Sequence, residues 1–188
     1  MRVGVFGGEF DPPHLGHLAV VRAARDQLGL DRLLVVPTGR PPHRGASDTP
    51  SELRFRMAQL AFGDEPRVEV SRIELDRDGP SYTVDTLRGL ALEGDLVLII
   101  GADQAKDMME GRWRGTGEIL RLASLAVAPR WDSTGVYGTD VTELAMQPVD
   151  LSSTGVRSEL RTGGGQDAVA PQVLELIRAQ GLYGGAPC

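Results

Sequence analysis

The sequence predicts an α/β protein with a doubly wound parallel sheet, and three observations lead to this fold class. Short apolar runs alternate with segments whose apolar residues recur at helical spacing. The first 37 residues follow the order strand, loop, helix, strand, which is a β-α-β unit with a right-handed crossover. A continuous apolar run at residues 96–100 is typical of a strand buried on both faces. Together these features favour a parallel sheet covered by helices on both sides.

The same patterns place each element along the chain. Strands are expected at residues 2–6, 33–36, 96–100, 125–128 and 144–149, together with an alternating run at 68–75. Helices are expected at residues 15–28, 52–62, 83–92, 118–123, from 152 toward 160, and at 169–180. The loop at 38–51 is rich in Pro, Gly and Ser and is long enough to suggest a function.

Length and composition indicate one globular domain over residues 1–188. Hydrophobic residues make up 41% of the chain and charged residues 24%, which is ordinary for a globular protein. No apolar run approaches the roughly 20 residues needed to span a bilayer, and the N-terminal residues do not resemble a signal peptide. A cytoplasmic protein without a membrane partner is therefore expected. The only cysteine is Cys188, which excludes an internal disulfide and a thiolate-based zinc site.

The charge distribution narrows the class of ligand. A net charge of −6 argues against a general nucleic-acid surface, which normally shows as a basic face. Small anionic ligands remain compatible, because a local pocket can be positive in an acidic protein. Lys106 is the only lysine among the 20 basic residues, so cationic contacts would come mainly from arginine. Arginine suits planar, multidentate recognition of phosphate.

A histidine pair marks the start of the first predicted helix. His14 and His17 lie three residues apart and so share a helix face. The preceding loop follows the carboxyl end of a strand, where ligands bind in doubly wound sheets, and the helix N-terminus adds free N–H groups and positive dipole charge. Gly7 and Gly8 permit close approach of an anion, and Gly16 permits a nucleotide to lie over the helix start. The pattern suits polyphosphate; helix capping and binding of a divalent metal are the alternatives.

Three segments together resemble a known family. The first is Gly7-Gly8-Glu9-Phe10-Asp11-Pro12-Pro13-His14-Leu15-Gly16-His17, which is similar to the signature of nucleotidyltransferases with an H-x-G-H motif and, in its extended form, to bacterial nicotinate-nucleotide adenylyltransferases. The others are Ser81-Tyr82-Thr83-Val84-Asp85-Thr86-Leu87 and Ser152-Ser153-Thr154-Gly155-Val156-Arg157, similar to the family's S-Y-T-x-D-T-L and S-S-T-x-x-R segments. The resemblance runs from residue 3 to about residue 157.

The resemblance implies a Rossmann-like nucleotidyltransferase fold and a set of site residues. The expected catalytic residues are His14, His17 and Arg157. The expected ATP-binding residues are Gly7, Gly8, Phe10, Asp11, Gly16, Gly101, Asp103, Ser152, Ser153 and Thr154. The residues expected to hold the acceptor are Arg44, in a P-P-H-R loop, and Tyr82, Thr83, Asp85, Thr86 and Trp113.

The reaction implied by the resemblance is adenylyl transfer from ATP to nicotinate mononucleotide, which gives nicotinate adenine dinucleotide and pyrophosphate for NAD biosynthesis. Mg²⁺ is expected to accompany ATP, without a dedicated protein metal site. ATP and nicotinate mononucleotide are the expected partners, and oligomeric state is left open. Read without the family, the hydroxyls at 152–154 fit an ordinary helix N-cap, the segment 81–87 fits another cap, and Trp113 fits a core or surface position.

The chain departs from the family pattern in three places. Glu9 stands where threonine or serine is usual, and a carboxylate beside triphosphate is repulsive unless Mg²⁺ bridges it or it turns outward. Ala128-Pro129-Arg130-Trp131 replaces the more usual A-R-P-G. The stretch from there to Ser152 is short.

Three other functions fit parts of the sequence. A phosphopantetheine adenylyltransferase shares the H-x-G-H motif, but the S-Y-T-x-D-T-L and S-S-T-x-x-R matches speak against it. A class I aminoacyl-tRNA synthetase core needs a lysine-rich second signature and tRNA-binding domains, which this composition and length do not supply. A nucleotide-sensing module that has lost its chemistry is the third alternative, with Glu9 as its best support.

Overall fold

The computed structural model describes residues 1–42, 49–129 and 141–184. Within these ranges the strands are β1 (Arg2–Gly8), β2 (Arg32–Pro37), β3 (Val68–Val70), β4 (Asp95–Gly101), β5 (Ala123–Ala128) and β6 (Val141–Glu143). The α-helices are α1 (Leu15–Gln27), α2 (Ser51–Phe62), α3 (Thr83–Leu90), α4 (Ala102–Met109), α5 (Thr116–Leu122), α6 (Ser153–Arg161) and α7 (Pro171–Ala179). Short 3₁₀ turns lie at Gln166–Ala168 and Leu182–Gly184.

The six strands form one sheet in the order β3-β2-β1-β4-β5-β6, and each neighbouring pair is parallel. The predicted doubly wound fold class is confirmed. Strand β1 is central, because it pairs with β2 on one side and β4 on the other. The strand order reverses between β1 and β4, and ligands of such sheets bind at the carboxyl ends of the strands at this switch point. The β1–α1 loop, which leads to the histidine pair, therefore begins at the expected binding edge.

Alternating residues of the central strands fill two hydrophobic layers, one on each face of the sheet. On one face Val5 and Leu98 pack with residues of α3, α4 and α5. On the other face Phe6 and Ile99 pack with residues of α1 and α2. All four side chains are almost fully buried. The unbroken apolar sequence of β4 follows from burial on both faces.

A third hydrophobic cluster joins three helices at the edge of the second layer. Met57 of α2, Val156 of α6 and Val173 of α7 are buried together in it. This packing fixes the first turn of α6 against the β1–α1 loop, since the Ser153 hydroxyl donates to the carbonyl of Pro12 at 3.0 Å. Two segments about 140 residues apart in sequence are thereby brought to one place.

The structure differs from the sequence-based prediction of secondary structure in several places. The strand expected at 144–149 is irregular chain; β6 ends at Glu143, and Gln27 holds the following segment through two side-chain bonds to the backbone of Ala145. The alternating run at 68–75 pairs only over Val68–Val70. Helix α4 was not predicted, because its polar residues leave only Ala102, Ala105 and Met108 buried.

No helix in the described parts of the chain has the length and apolar character needed to cross a membrane. The prediction of a single domain over the whole chain remains a prediction.

Candidate active site

A cavity of about 610 Å³ opens at the carboxyl ends of the central strands. Most of the predicted site residues line it, namely His14, His17, Arg157, Gly7, Gly8, Phe10, Gly16, Gly101, Ser152, Ser153, Thr154, Tyr82, Thr83, Thr86 and Trp113. They come from β1, α1, α3, β4, α6 and the loops between these elements. The three segments that resemble the family signature thus meet around one space.

The two histidines form a stacked pair at the start of α1. Their ring centroids are 3.7 Å apart and the planes are inclined by 23°. The backbone N–H of His14 donates to Nδ1 of His17 at 3.2 Å, so a neutral His17 carries its proton on Nε2. Burial, together with the neighbouring His14 ring, lowers the pKa of His17 well below its usual 6.5. At neutral pH His17 is therefore an uncharged hydrogen-bond donor. The pair contributes to helix capping, and both rings also line the cavity.

Two neighbours hold the histidine rings in place. The ring of Phe10 is 1% exposed and contacts His17 edge-on, with centroids 5.1 Å apart. Phe10 also packs edge-on against Phe62 of α2, so it links His17 to the hydrophobic layer beneath. A Cβ atom at Gly16 would lie 3.0 Å from Nδ1 of His14. Residue 16 must therefore be small for the stack to form.

The start of α6 presents hydroxyls and a guanidinium to the cavity. The Ser152 side chain caps the helix by accepting from the Gly155 N–H at 3.1 Å, as expected for an N-cap. Arg157, one turn on, donates to the carbonyl oxygen of Asp11 at 2.6 Å and lies 3.4 Å from the hydroxyl of Thr154. A quarter of the Arg157 side chain is exposed, so its guanidinium is anchored yet open to a ligand. A helix N-terminus beside an arginine suits phosphate oxygens.

Another wall of the cavity is formed by α3 and the α4–α5 loop. The Thr86 hydroxyl donates to the buried carboxylate of Glu74 at 2.6 Å and accepts from Arg77 at 3.2 Å. Arg114 lies over the Tyr82 ring, 4.5 Å from its centroid. Trp113 is half-buried against the first hydrophobic layer and lines the cavity. This wall combines a flat aromatic surface with fixed polar groups.

The alternatives of a core and a ligand-facing role for Trp113 are not exclusive, because the ring both packs on the core and faces the cavity. Ser81 ties this wall to the loop after β2: its N–H donates to the carbonyl of Arg40 at 2.8 Å, and its hydroxyl accepts from the Arg40 N–H at 3.1 Å. Pro41 and Pro42 are thereby placed on the cavity rim.

Sequence reasoning missed several residues of the site. Arg54 of α2 is 2% exposed and donates to the carbonyl oxygens of Glu9, Gly39 and Thr49 at 2.8, 3.2 and 3.2 Å. It thus fixes the loops after β1 and β2 to each other. Burial lowers its pKa, against the opposing effect of nearby acids, of which Asp11 is the strongest and Glu9 the next. Arg54 itself does not line the cavity, whereas Arg112, Arg114, Glu74 and Gln104 do and were not predicted.

The charge of Glu9 lies close to the charge of Arg54. Glu9 lines the cavity, and its carboxylate lies close enough to the guanidinium of Arg54 to favour the charged arginine. An acidic residue in this loop is therefore partly compensated by a buried cation.

Three of the predicted residues are not brought to the cavity. Asp11 is 5% exposed and accepts from Tyr183, away from the cavity lining. Asp85 is paired with Arg88 on the outer face of α3 at 2.6 Å. Asp103 is exposed on α4 outside the lining, and Arg44 lies outside the described residues.

The fold and this site define a nucleotidyltransferase. Residues 5–159 match the family described as Cytidylyltransferase-like, and the match covers most of the chain. A curated relative from Thermus thermophilus is 42% identical over 97% of this chain and all of its own length. A relative from Albidiferax ferrireducens is 44% identical over 84% of each chain. Both are named probable nicotinate-nucleotide adenylyltransferase, and the present chain belongs to this family.

Solved structures agree on the fold. A nicotinic acid mononucleotide adenylyltransferase of Plasmodium falciparum complexed with NaAD has a TM-score of 0.78, with 98% of both chains covered and 14% identity. The same protein complexed with APC has a TM-score of 0.76 at 16% identity and equal coverage. The predicted Rossmann-like nucleotidyltransferase fold is confirmed.

Proposed function

We propose that this protein transfers the adenylyl group of ATP to nicotinate mononucleotide, giving nicotinate adenine dinucleotide and pyrophosphate in NAD biosynthesis. The observation that carries the proposal is one cavity that is lined both by a histidine pair with the α6 N-terminus and by Thr86 with Trp113. The first part suits a polyphosphate and the second suits a flat pyridine ring. The names of the relatives support the same acceptor.

The reaction is a direct displacement at the α-phosphorus of ATP. An oxygen of the mononucleotide 5′-phosphate forms the new bond to the α-phosphorus, and the bond from that phosphorus to the β-phosphate oxygen breaks. A phosphate monoester has a second pKa of about 6, so the attacking group is largely dianionic at neutral pH. It therefore needs no general base. The protein contributes orientation and stabilisation of charge on the equatorial and leaving oxygens.

The histidine pair and Arg157 contribute different contacts to the phosphates. His17 donates from Nε2, because its Nδ1 is occupied by the His14 N–H. The stacked His14 and the N–H groups at the start of α1 add donors and positive dipole charge toward the same anion. Arg157, anchored on the Asp11 carbonyl, holds the polyphosphate together with the first turn of α6.

ATP arrives as its magnesium complex in this scheme. Mg²⁺ bound with ATP would partly neutralise the phosphates and would need few protein ligands. The described residues contain no group of three or more side chains able to hold a metal ion. Glu9 and Glu74 are the lining residues, among those described, that carry carboxylates, the oxygen ligand type that Mg²⁺ prefers, and Glu9 lies in the loop after β1.

A pyrophosphate-release assay with ATP and nicotinate mononucleotide tests the chemistry. Replacing His17 by alanine removes a preorganised donor, and we expect kcat to fall by about 10²-fold or more. Leu15→Ala is the matched control, since Leu15 is exposed on the same helical turn and does not line the cavity. Undiminished kcat in His17→Ala at saturating substrates would remove the assigned role.

A substrate panel tests the acceptor. Nicotinate mononucleotide, nicotinamide mononucleotide and phosphopantetheine are compared at equal ATP concentration, and nicotinate mononucleotide is expected to turn over fastest. ATP binding without release of pyrophosphate from ATP in the presence of any of these acceptors would favour a nucleotide sensor instead.

Trp113→Ala is expected to raise KM for the pyridine mononucleotide while leaving KM for ATP within about two-fold of the wild-type value, because only the acceptor stacks on the ring.

A further inference from the structure

Tyr183 is distant in sequence from the histidine pair but contacts the β1–α1 loop that leads to it. Tyr183 lies in the 3₁₀ turn Leu182–Gly184, and its hydroxyl donates to Oδ1 of Asp11 at 2.5 Å. The same hydroxyl oxygen lies 4.0 Å from the sulfur of Met57 in the α2–α6–α7 cluster. The contact therefore joins the β1–α1 loop to the third hydrophobic cluster.

Asp11 is held from two sides. Its main-chain carbonyl accepts from Arg157 at 2.6 Å, and its Oδ2 lies 3.9 Å from the same guanidinium nitrogen. The Tyr183 phenol occupies the other carboxylate oxygen. Burial and the bond to Asp11 raise the pKa of Tyr183, so the phenol keeps its proton and remains the donor.

The backbone of Tyr183 is in the left-handed region, with φ 60° and ψ 22°. A bulky non-glycine residue is strained in this region and persists only where its surroundings hold it there. Here the bond to Asp11 and the packing against the third hydrophobic cluster hold Tyr183. Strained backbone of this kind is concentrated at functional sites.

We propose that Tyr183 is a positioning residue for adenylyl transfer, acting through Asp11 on Arg157 and on the loop that leads to the histidine pair. The inference rests on the proposed function. With the phenol in place, the carboxylate is engaged and Arg157 bonds the main-chain carbonyl, which leaves the rest of the guanidinium toward the cavity. Without the phenol, the Asp11 carboxylate loses its link to the third hydrophobic cluster, so the loop no longer holds in place the carbonyl that anchors Arg157 beside phosphate.

Tyr183→Phe tests this role, because it removes the hydroxyl and keeps the ring. We expect kcat to fall about ten-fold and KM for ATP to rise, with KM for nicotinate mononucleotide within about two-fold of the wild-type value. Thr162→Val is the matched control. It removes an exposed hydroxyl that lies outside the β1–α1 loop and donates to the carbonyl of Glu159 at 2.9 Å. The kcat and KM values of this variant should equal those of the wild type.

A double-mutant cycle separates positioning from packing. In an Asp11→Ala background, Tyr183→Phe should have less than about a two-fold effect on kcat, since the group through which it acts is gone. A kcat of Tyr183→Phe within about two-fold of wild type, or an undiminished loss in the Asp11→Ala background, would overturn the proposal.

A second pair of variants keeps the test valid if Tyr183→Phe does not fold. Asp11→Asn retains an amide oxygen that accepts from the phenol, so it should keep most of kcat, whereas Asp11→Ala should lose about as much as Tyr183→Phe is expected to lose. Equal losses in the two Asp11 variants would contradict the role of Tyr183. Failure of the proposed function is distinguishable, because it would appear as absent turnover in the wild-type protein.

Discussion

At the scale of single residues, the donor properties of His17 follow from one backbone bond. The N–H of His14 occupies Nδ1, and burial disfavours the imidazolium, so Nε2–H is available at neutral pH without a net charge. The sequence predicts that the two rings share a face, because a spacing of three residues suffices for that. It does not specify which nitrogen is the donor, since that depends on the extended backbone of His14 at the helix cap.

The lowered pKa of His17 makes stability depend on pH. In the unfolded chain His17 titrates near 6.5, but in the folded protein it resists protonation. Below about pH 6.5 only the unfolded state binds this proton, so the free energy of unfolding should fall by up to about 2 kcal/mol between pH 7 and pH 5. Urea denaturation of the wild type and of His17→Gln measures the contribution as a difference. Equal pH dependence in the two proteins would refute it.

Gly16 should be sensitive to substitution for a local steric reason. A methyl group in Gly16→Ala would meet the His14 ring at 3.0–3.1 Å and tilt it out of the stack. We expect kcat to drop about ten-fold or more with little loss of stability. Gly117→Ala in α5 is the control, because nothing lies within 4 Å of the place that its methyl group would take; it should stabilise the helix by up to about 1 kcal/mol and leave activity unchanged.

At the scale of elements, local patterns predicted most helices and strands, and long-range contacts decided the exceptions. The strand expected at 144–149 is irregular because Gln27 of α1 bonds the backbone of Ala145. Helix α4 was not predicted, because only three of its residues are buried and two of them are alanines. The family signatures were recognisable because each is a short continuous segment. Arg54 was not, because nothing in the neighbouring sequence distinguishes it from Arg56 two positions on.

The role of Arg54 can be measured against that neighbour. Arg54→Met leaves three carbonyls without their charged donor, so the free energy of unfolding should fall by about 3 kcal/mol or more. Arg56 is exposed on the same helix, and Arg56→Met should change stability by no more than about 0.5 kcal/mol. Chemical denaturation compares the two variants. A similar small change in both would mean that the arginine does not brace the loops.

At the scale of the whole molecule, the three segments of the family resemblance meet at one edge of the sheet, where parallel strands present their carboxyl ends. The sequence predicted this doubly wound sheet, and that prediction is confirmed. It could not foresee which residues tie the motifs together, since Asp11 and Tyr183 become neighbours only through the packing of α2, α6 and α7.

A single domain is expected to unfold in one cooperative step. The hydrophobic layers share the sheet, and the third cluster shares α2 with one of them, so no layer is independent. Calorimetry should give one transition with equal calorimetric and van't Hoff enthalpies. Val173→Ala in the third cluster and Leu98→Ala in the sheet should both lower the same transition. Two separable transitions would indicate two folding units.

The bond between Asp11 and Tyr183 spans 172 residues, and that separation has a meaning in time. At about 5–20 residues per second, synthesis takes on the order of ten to thirty seconds to cover such a distance. During this interval the β1–α1 loop and the histidine pair have been synthesised, but Tyr183 has not. Secondary structure and the early strands should therefore precede activity, both in the newborn chain and in refolding from denaturant.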